Sequence, residues 1–140
     1  MEAQALTARA AALSEALPLL QRAGAKRCDT SAGLLSVEEV ARGGACFVVE
    51  QGGVPVMAYA LGLTTHDAGG VLWVTAAGGN LPGGDLTASI LPLIEQQGRA
   101  VGARQVAMQT RRRGLVAKLE RQGYHVAGYI LRKNLDDSEL

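Results

Sequence analysis

Aromatic side chains are scarce: one Trp, three Tyr and one Phe in 140 residues, or 4%. Platforms that stack single-stranded nucleic acid need rows of such rings, so the composition argues against that class of function. An excess of either charge is also missing. Fourteen basic residues stand against thirteen acidic ones, a net charge of +1, and no overall field draws the chain to nucleic acid or to an anionic membrane. The local basic clusters Lys26–Arg27, Arg111–Arg113 and Arg132–Lys133 read as solvated surface. There are two cysteines, Cys28 and Cys46, with no C-x-x-C and no neighbouring histidine pair. That argues against a disulfide framework and against a metal site. Cys46 opens an apolar run and reads as a small buried hydrophobe. No run approaches the ~20 apolar residues of a membrane span, and no basic stretch leads into an apolar one as in a secretory leader. The expectation is a reducing, cytoplasmic setting with no membrane partner.

What is present suits a globular protein. Hydrophobic residues make up 48% and charged residues 19%, within the usual range. A chain of this length buries roughly 68% of its unfolded surface and needs no staples. No repeat or linker divides it, so a single domain over 1–140 is expected. It comprises a helical part at 1–44, a sheet with later helices at 45–135, and an acidic tail at 136–140.

Leu6, Leu13, Leu17 and Leu20 recur at helical spacings among alanines, which predicts a helix from Ala3 to Ala23, kinked or divided at Pro18 and capped by Gly24. Ser36 followed three residues later by Glu39 predicts a second, short helix with a capping box, ended by Gly43-Gly44. A hairpin is expected next: Cys46–Glu50, a Gln51-Gly52-Gly53 turn, and Val54–Leu61. Pro55 belongs at an edge or strand start because it cannot donate to a ladder. Thr64–Gly70 reads as a loop. Val71–Thr75 is apolar on both faces and reads as a strand inside the sheet, with Trp73 in the core. Leu86, Ile90, Leu93, Ile94 and Gln97 mark a helical stripe. Gln105–Gln109 reads as a strand with Val106 and Met108 on one face. Arg112–Gln122 reads as a helix placing Leu115, Val116 and Leu119 inward, with Gly123 as cap and Tyr124 covering it. His125–Lys133 reads as a last strand. The order predicts one mixed sheet with helices on its faces, an α/β (α+β) arrangement.

Between the Val71 strand and the Leu86 helix lies Ala76-Ala77-Gly78-Gly79-Asn80-Leu81-Pro82-Gly83-Gly84-Asp85. Such a loop can point several backbone N–H groups one way at a helix start, where the dipole favours an anion. It can equally be a structural turn. Asp85 is suited to cap the helix and would satisfy the same N–H groups while repelling an anionic ligand. If Asp85 caps, Pro92 lies in the second turn against the carbonyl of Ala88. If Ser89 caps, Pro92 lies in the first turn, where it is tolerated.

Asn80-Leu81-Pro82-Gly83-Gly84-Asp85 and Leu119-Glu120-Arg121-Gln122-Gly123-Tyr124, taken with the order of elements from Val71 to Leu135, resemble two motifs of the GNAT (Gcn5-related N-acetyltransferase) superfamily. The first is Q/R-x-x-G-x-G/A, whose amides grip the pyrophosphate of acetyl-coenzyme A; the second is Y-x-x-x-G-F ahead of the last strand. The resemblance implies a mixed, mostly antiparallel central sheet with helices on both faces. It also implies transfer of an acetyl group from acetyl-coenzyme A to a small-molecule or protein amine, with no metal. The cofactor-binding positions it implies are Val74, Thr75, Asn80, Gly83, Gly84 and Asp85. Within the first motif, only Gly83 matches. Leu119 stands where many members carry a tyrosine that protonates the departing thiolate, and Arg112 stands where an asparagine is frequent. If transfer occurs, another donor is needed, with Tyr124, Tyr129 and His125 nearby. Glu50, at a strand end, is the candidate base, against the simpler reading of a solvated turn carboxylate. His66-Asp67 before the central strand could orient an imidazole. Short phage-encoded GNAT-like proteins are similar to this pattern. The alternative is a catalytically silent binding or assembly module, which would carry an exposed apolar patch or form a homodimer through a sheet edge. A nucleic-acid role through Arg111–Arg113 is the weakest option.

Overall fold

The computed structural model describes residues 5–22, 29–79 and 86–135. The elements run β1 (Leu6–Ala11), α1 (Leu13–Gln21), α2 (Val37–Arg42), β2 (Ala45–Gln51), β3 (Val54–His66), β4 (Gly69–Gly79), α3 (Leu86–Ala100), β5 (Ala103–Met108) and α4 (Arg113–Arg121). The five strands form one sheet in sequence order. β1 to β4 are antiparallel neighbours, and β5 joins β4 in parallel after the α3 crossover. The expected mixed, mostly antiparallel sheet with helices on its faces is what forms.

Alternation along the central strands builds a core on each face. On β3, Met57, Tyr59 and Leu61 point to one side, where they meet Val49, Leu72 and the α3 residues Ile90 and Ile94. Ala58 and Ala60 point to the other, against Ala16, Leu19 and Leu20 of α1, Ala41 of α2, and Cys46 and Val48. The alanines on this second face let α1 lie close to the sheet. Cys46 is buried as expected, its Sγ donating to the Ala41 carbonyl at 3.7 Å, and burial pushes its thiol pKa up.

The predicted hairpin forms, with Gly52 and Gly53 both at positive φ (59° and 81°), the conformation a two-residue turn between twisted strands requires. Pro55 sits at the start of β3, ahead of the first β4 partner, Met57. Ser36 caps α2 through Glu39 N–H at 3.1 Å, and Gly43 ends it. At the end of α4, Tyr124 N–H bonds Leu119 O and Gly123 N–H bonds Glu120 O, both at 3.1 Å. With Gly123 at φ 90°, this is the paired-bond glycine cap expected from the sequence. Leu119 is buried, with Leu115 and Val116 partly so.

Five expectations are corrected. The chain's first described element is a strand, not a helix: Leu6–Ala11 pairs with β2 along its whole length. Alanine and leucine favour helix locally, but an unpaired β2 edge and a place for Leu6 and Ala8 against the core outweigh that preference. α1 then starts only at Leu13 and runs through Pro18 to Gln21 without division; Gly24 lies outside the described residues. Thr64–Gly70 is not a loop. β3 extends to His66 and turns through Asp67-Ala68 into β4. Trp73 is half-buried rather than core, its indole N–H donating to Thr64 Oγ1 at 3.0 Å. Finally, residues 125–133 carry no strand pairing and run outside the sheet.

Candidate functional site

The site follows from an irregularity in β4. Val74 pairs with Leu61 and Ala76 with Ala60, leaving Thr75 as an extra residue on β4. Such a bulge bends a strand and sharpens its twist. The Thr75 hydroxyl donates to the Ala60 carbonyl at 3.2 Å and holds the bulge in place. At the same point β4 and β5 part: their parallel pairing runs from Gly70 and Ala103 to Val74 and Met108 and stops there. Among the described residues, β4 continues without a strand partner on that side to Gly79. Beyond the end of β5 the edge of Thr75–Gly79 is therefore a notch in the pairing of the described strands, just ahead of the segment that leads into α3. An extended ligand with amide groups could add to that edge as a strand does.

The glycines read as a phosphate cradle divide into two kinds. Gly78 and Gly79 belong to β4, so the loop begins four residues later than expected. A Cβ on Gly78 would lie 2.6 Å from the Leu19 and Leu20 carbonyl oxygens, and one on Gly79 would collide with Met57. Close packing of α1 and β3 on β4 demands these two glycines. Asn80, Gly83, Gly84 and Asp85 lie outside the described residues. α3 starts at Leu86, ahead of Ser89, so Pro92 falls inside the helix, in its second turn. Val74 turns its side chain toward the core and Thr75 is exposed at the bulge.

A second concavity of about 1070 Å³ runs along the outer side of β5. It is bounded by Gln105–Thr110, by Glu95 and Arg99 of α3, and by Tyr124–Ile130 of the C-terminal segment. Two of the sequence candidates meet here. The Tyr124 hydroxyl donates to Glu95 Oε2 at 2.8 Å, and burial together with that carboxylate pushes the phenol well above its ordinary range. Tyr124 thus keeps its proton at neutral pH, held by Glu95. Tyr129 is 88% exposed on the groove wall, and His125 is exposed beside it.

Glu50 lies elsewhere, on β2 beside the Gly52-Gly53 turn, its Oε2 3.3 Å from Arg9 Nε. Arg9 also binds Glu15, and the two carboxylates raise its pKa further. His66 Nε2 lies 3.1 Å from Thr64 Oγ1, the same hydroxyl that takes the Trp73 N–H. Leu119, at the position of the usual acid, is 6% exposed.

Sequence reasoning missed Glu95, which meets Tyr124 across 29 positions, and the Thr75 bulge. It also missed the loop at 29–35, where Asp29 accepts hydrogen bonds from the Ser31 hydroxyl and from the Ser31 and Gly33 amides. These bonds, the Ser31 hydroxyl's first, hold the Asp29 carboxyl below the usual range. No local residue pattern marks the bulge, since Val71–Ala77 holds no glycine.

No protein-family model matches the sequence, and no curated protein matches it significantly. Solved structures do match in fold. A possible acetyltransferase from Clostridium difficile 630 superposes with a TM-score of 0.69 at 12% identity, covering 96% of this chain and 100% of its own. An aminoglycoside N-acetyltransferase in complex with CoA gives 0.61 at 15% identity, with 96% and 98% covered. Glucosamine-6-phosphate N-acetyltransferase from Arabidopsis thaliana gives 0.57 at 12%, with 95% and 100% covered. The chain has a GNAT-like fold. No described helix is long and apolar enough to cross a membrane.

Proposed function

We propose that this chain binds acetyl-coenzyme A in the β4–β5 notch and acts as a GNAT-fold acyltransferase toward an amine. The observation that carries the proposal is the parting of the two parallel strands beyond Val74 and Met108, at the Thr75 bulge, in a chain whose fold matches several acetyltransferases. The free edge of Thr75–Gly79 suits the paired amides of a pantetheine arm. The start of α3 suits the pyrophosphate, because the helix dipole favours an anion there. Thr75, Asn80, Gly83 and Gly84 would hold the cofactor, which supplies an acyl group already activated as a thioester. Leu119 has no proton to give. Among the remaining candidates, Tyr129 stands free in solvent, whereas Tyr124 must leave Glu95 to donate.

The second reading, a catalytically silent binding module, draws on the same two facts: Leu119 is buried and apolar, and the nearest half-buried phenol is already committed. Titration calorimetry with acetyl-coenzyme A separates the readings from a third, in which nothing binds. Heat of binding together with release of free thiol in the presence of a polyamine or aminoglycoside supports transfer. Binding without thiol release across an amine panel supports the silent module. Absence of heat and of any thermal shift at millimolar ligand rejects transfer and is the third outcome, a module that does not use coenzyme A.

A further inference from the structure

Two of the basic clusters, far apart in sequence, meet in the fold. Arg132 of the C-terminal segment donates from Nε to Thr30 O at 2.7 Å, and Arg111, just after β5, approaches the neighbouring carbonyl, Asp29 O, at 3.5 Å. Asn134 Nδ2 adds a bond to Ala32 O at 3.3 Å. The loop at 29–33 therefore gathers two guanidiniums, and both line the groove. Arg132 bonds through Nε, which leaves its planar fork suited to a carboxylate or phosphate on the terminal nitrogens. Arg111 adds a second positive charge beside it.

The carboxylates that line the groove do not cancel this charge. Asp29 turns its carboxyl onto its own loop, where it takes the Ser31 hydroxyl and the Ser31 and Gly33 amides. Glu95 holds the Tyr124 hydroxyl. Glu120 lies near the end of α4, about 10 Å along the helix from Arg113. Two cations against the single charge of Asp29 leave this end of the groove positive. It also adjoins the notch. Thr30 Oγ1 donates to Gln109 Oε1 at 3.3 Å, and Gln109 directly follows Met108, the last residue of β5 paired with β4. With the pyrophosphate at the start of α3 and the pantetheine arm along Thr75–Gly79, as proposed, the acyl end falls beside the Val74–Met108 pair. Arg111 comes two residues after Gln109, no more than about 7 Å along the chain.

We propose that Arg132 and Arg111 form a binding site for a small amine that itself carries an anionic group, a carboxylate or a phosphate, and that this amine is the acyl acceptor. The anion sits on the guanidiniums and the nitrogen faces the acyl carbon at the Thr75 bulge. The acceptor role rests on the acetyl-coenzyme A reading and narrows it. An amine and an anion a few bonds apart describe an amino acid or an amino phosphate, not a lone lysine side chain of a protein. On transfer the nitrogen bonds to the acetyl carbon as the C–S bond breaks. Of the two protons the ammonium loses, one ends on the sulfur and one in solvent. The anionic group takes no part in these bond changes and serves to position the nitrogen.

Four small amines test the site: β-alanine and O-phosphoethanolamine, and their counterparts without the anion, β-alanine amide and ethanolamine. Calorimetry with and without coenzyme A should show each anionic amine binding about 10-fold or more tightly than its counterpart. Either anion supports the site, and the tighter of the two names the group. In Arg132→Gln and Arg111→Gln the ratio should fall toward one, while Arg132→Lys, which keeps the charge but not the fork, should retain part of it. Thiol release from acetyl-coenzyme A should follow the same order in KM. Equal affinity for anionic and neutral amines in the unmodified protein overturns the proposal even if acetyl-coenzyme A binds. So does a preference that survives both glutamine substitutions. An arginine-dependent preference without any heat from acetyl-coenzyme A upholds the anionic-amine site and overturns only the transfer reading.

Discussion

The Tyr124–Glu95 pair shows how a single contact carries both stability and chemistry. Burial and the neighbouring carboxylate raise the phenol above its ordinary pKa, and burial raises Tyr59 to about 12 despite its bond to Gln97. In each case the folded state holds the proton more tightly than the unfolded chain does. Their contribution is complete below the unfolded value of about 10 and is lost as pH rises beyond it. Thermal denaturation should accordingly show stability falling above pH 10. Tyr124→Phe should flatten part of that fall and cost about 1.5–3 kcal/mol at neutral pH, the worth of one hydrogen bond to a charged group. Gly78 belongs to the same scale. Its Cβ position lies 2.6 Å from two backbone carbonyls of α1 that cannot swing aside. Gly78→Ala should destabilise by about 2–3 kcal/mol in denaturant titration.

At the scale of elements, the two helix caps stand out because their signals are local. Ser36 and Glu39 are three residues apart, and the Gly123-Tyr124 pair closes α4 through bonds to Leu119 and Glu120. Ser36→Ala should cost about 1 kcal/mol, measurable by chemical unfolding, because it leaves the Glu39 N–H without its acceptor. Gly123→Ala should cost a similar amount, about 1 kcal/mol, because φ of 90° disfavours a side chain. β1 is the opposite case. LTARAA has no strong strand signal, and its alanines and leucine read as the opening of a helix. It becomes a strand because β2 offers an unpaired edge and the core has room for Leu6 and Ala8. The end of the chain errs the other way: His125–Lys133 has a strand's composition but, among the described residues, no strand partner.

At the scale of the whole molecule, the notch and the groove are separate features on either side of β5, and they support separate experiments. Binding of acetyl-coenzyme A tests the first. Asp85 lies directly before α3, and its carboxylate would compete with a phosphate for the helix start. Asp85→Ala should raise coenzyme A affinity about 2–5-fold in calorimetry, the size of a helix-end charge effect. Unchanged affinity would leave Asp85 as a cap alone.

Local chemistry by itself determined much of this protein. The periodicity of α3 and α4, the two caps, the Gly52-Gly53 hairpin and the strand core at Val71–Thr75 are written in residues a few positions apart, and their order was enough to suggest the GNAT-like fold. The tertiary structure alone decided where pairing begins and ends. It made Leu6–Ala11 a strand, carried β3 and β4 into Thr64–Gly70, put Gly78 under α1 and Gly79 against β3, and opened the notch at Thr75. It also set Tyr124 on Glu95 and left the C-terminal segment outside the sheet. The reason is physical. Caps and turns are satisfied by neighbours in sequence, whereas a strand, a bulge or a buried hydroxyl is satisfied by whatever backbone or side chain the fold brings alongside.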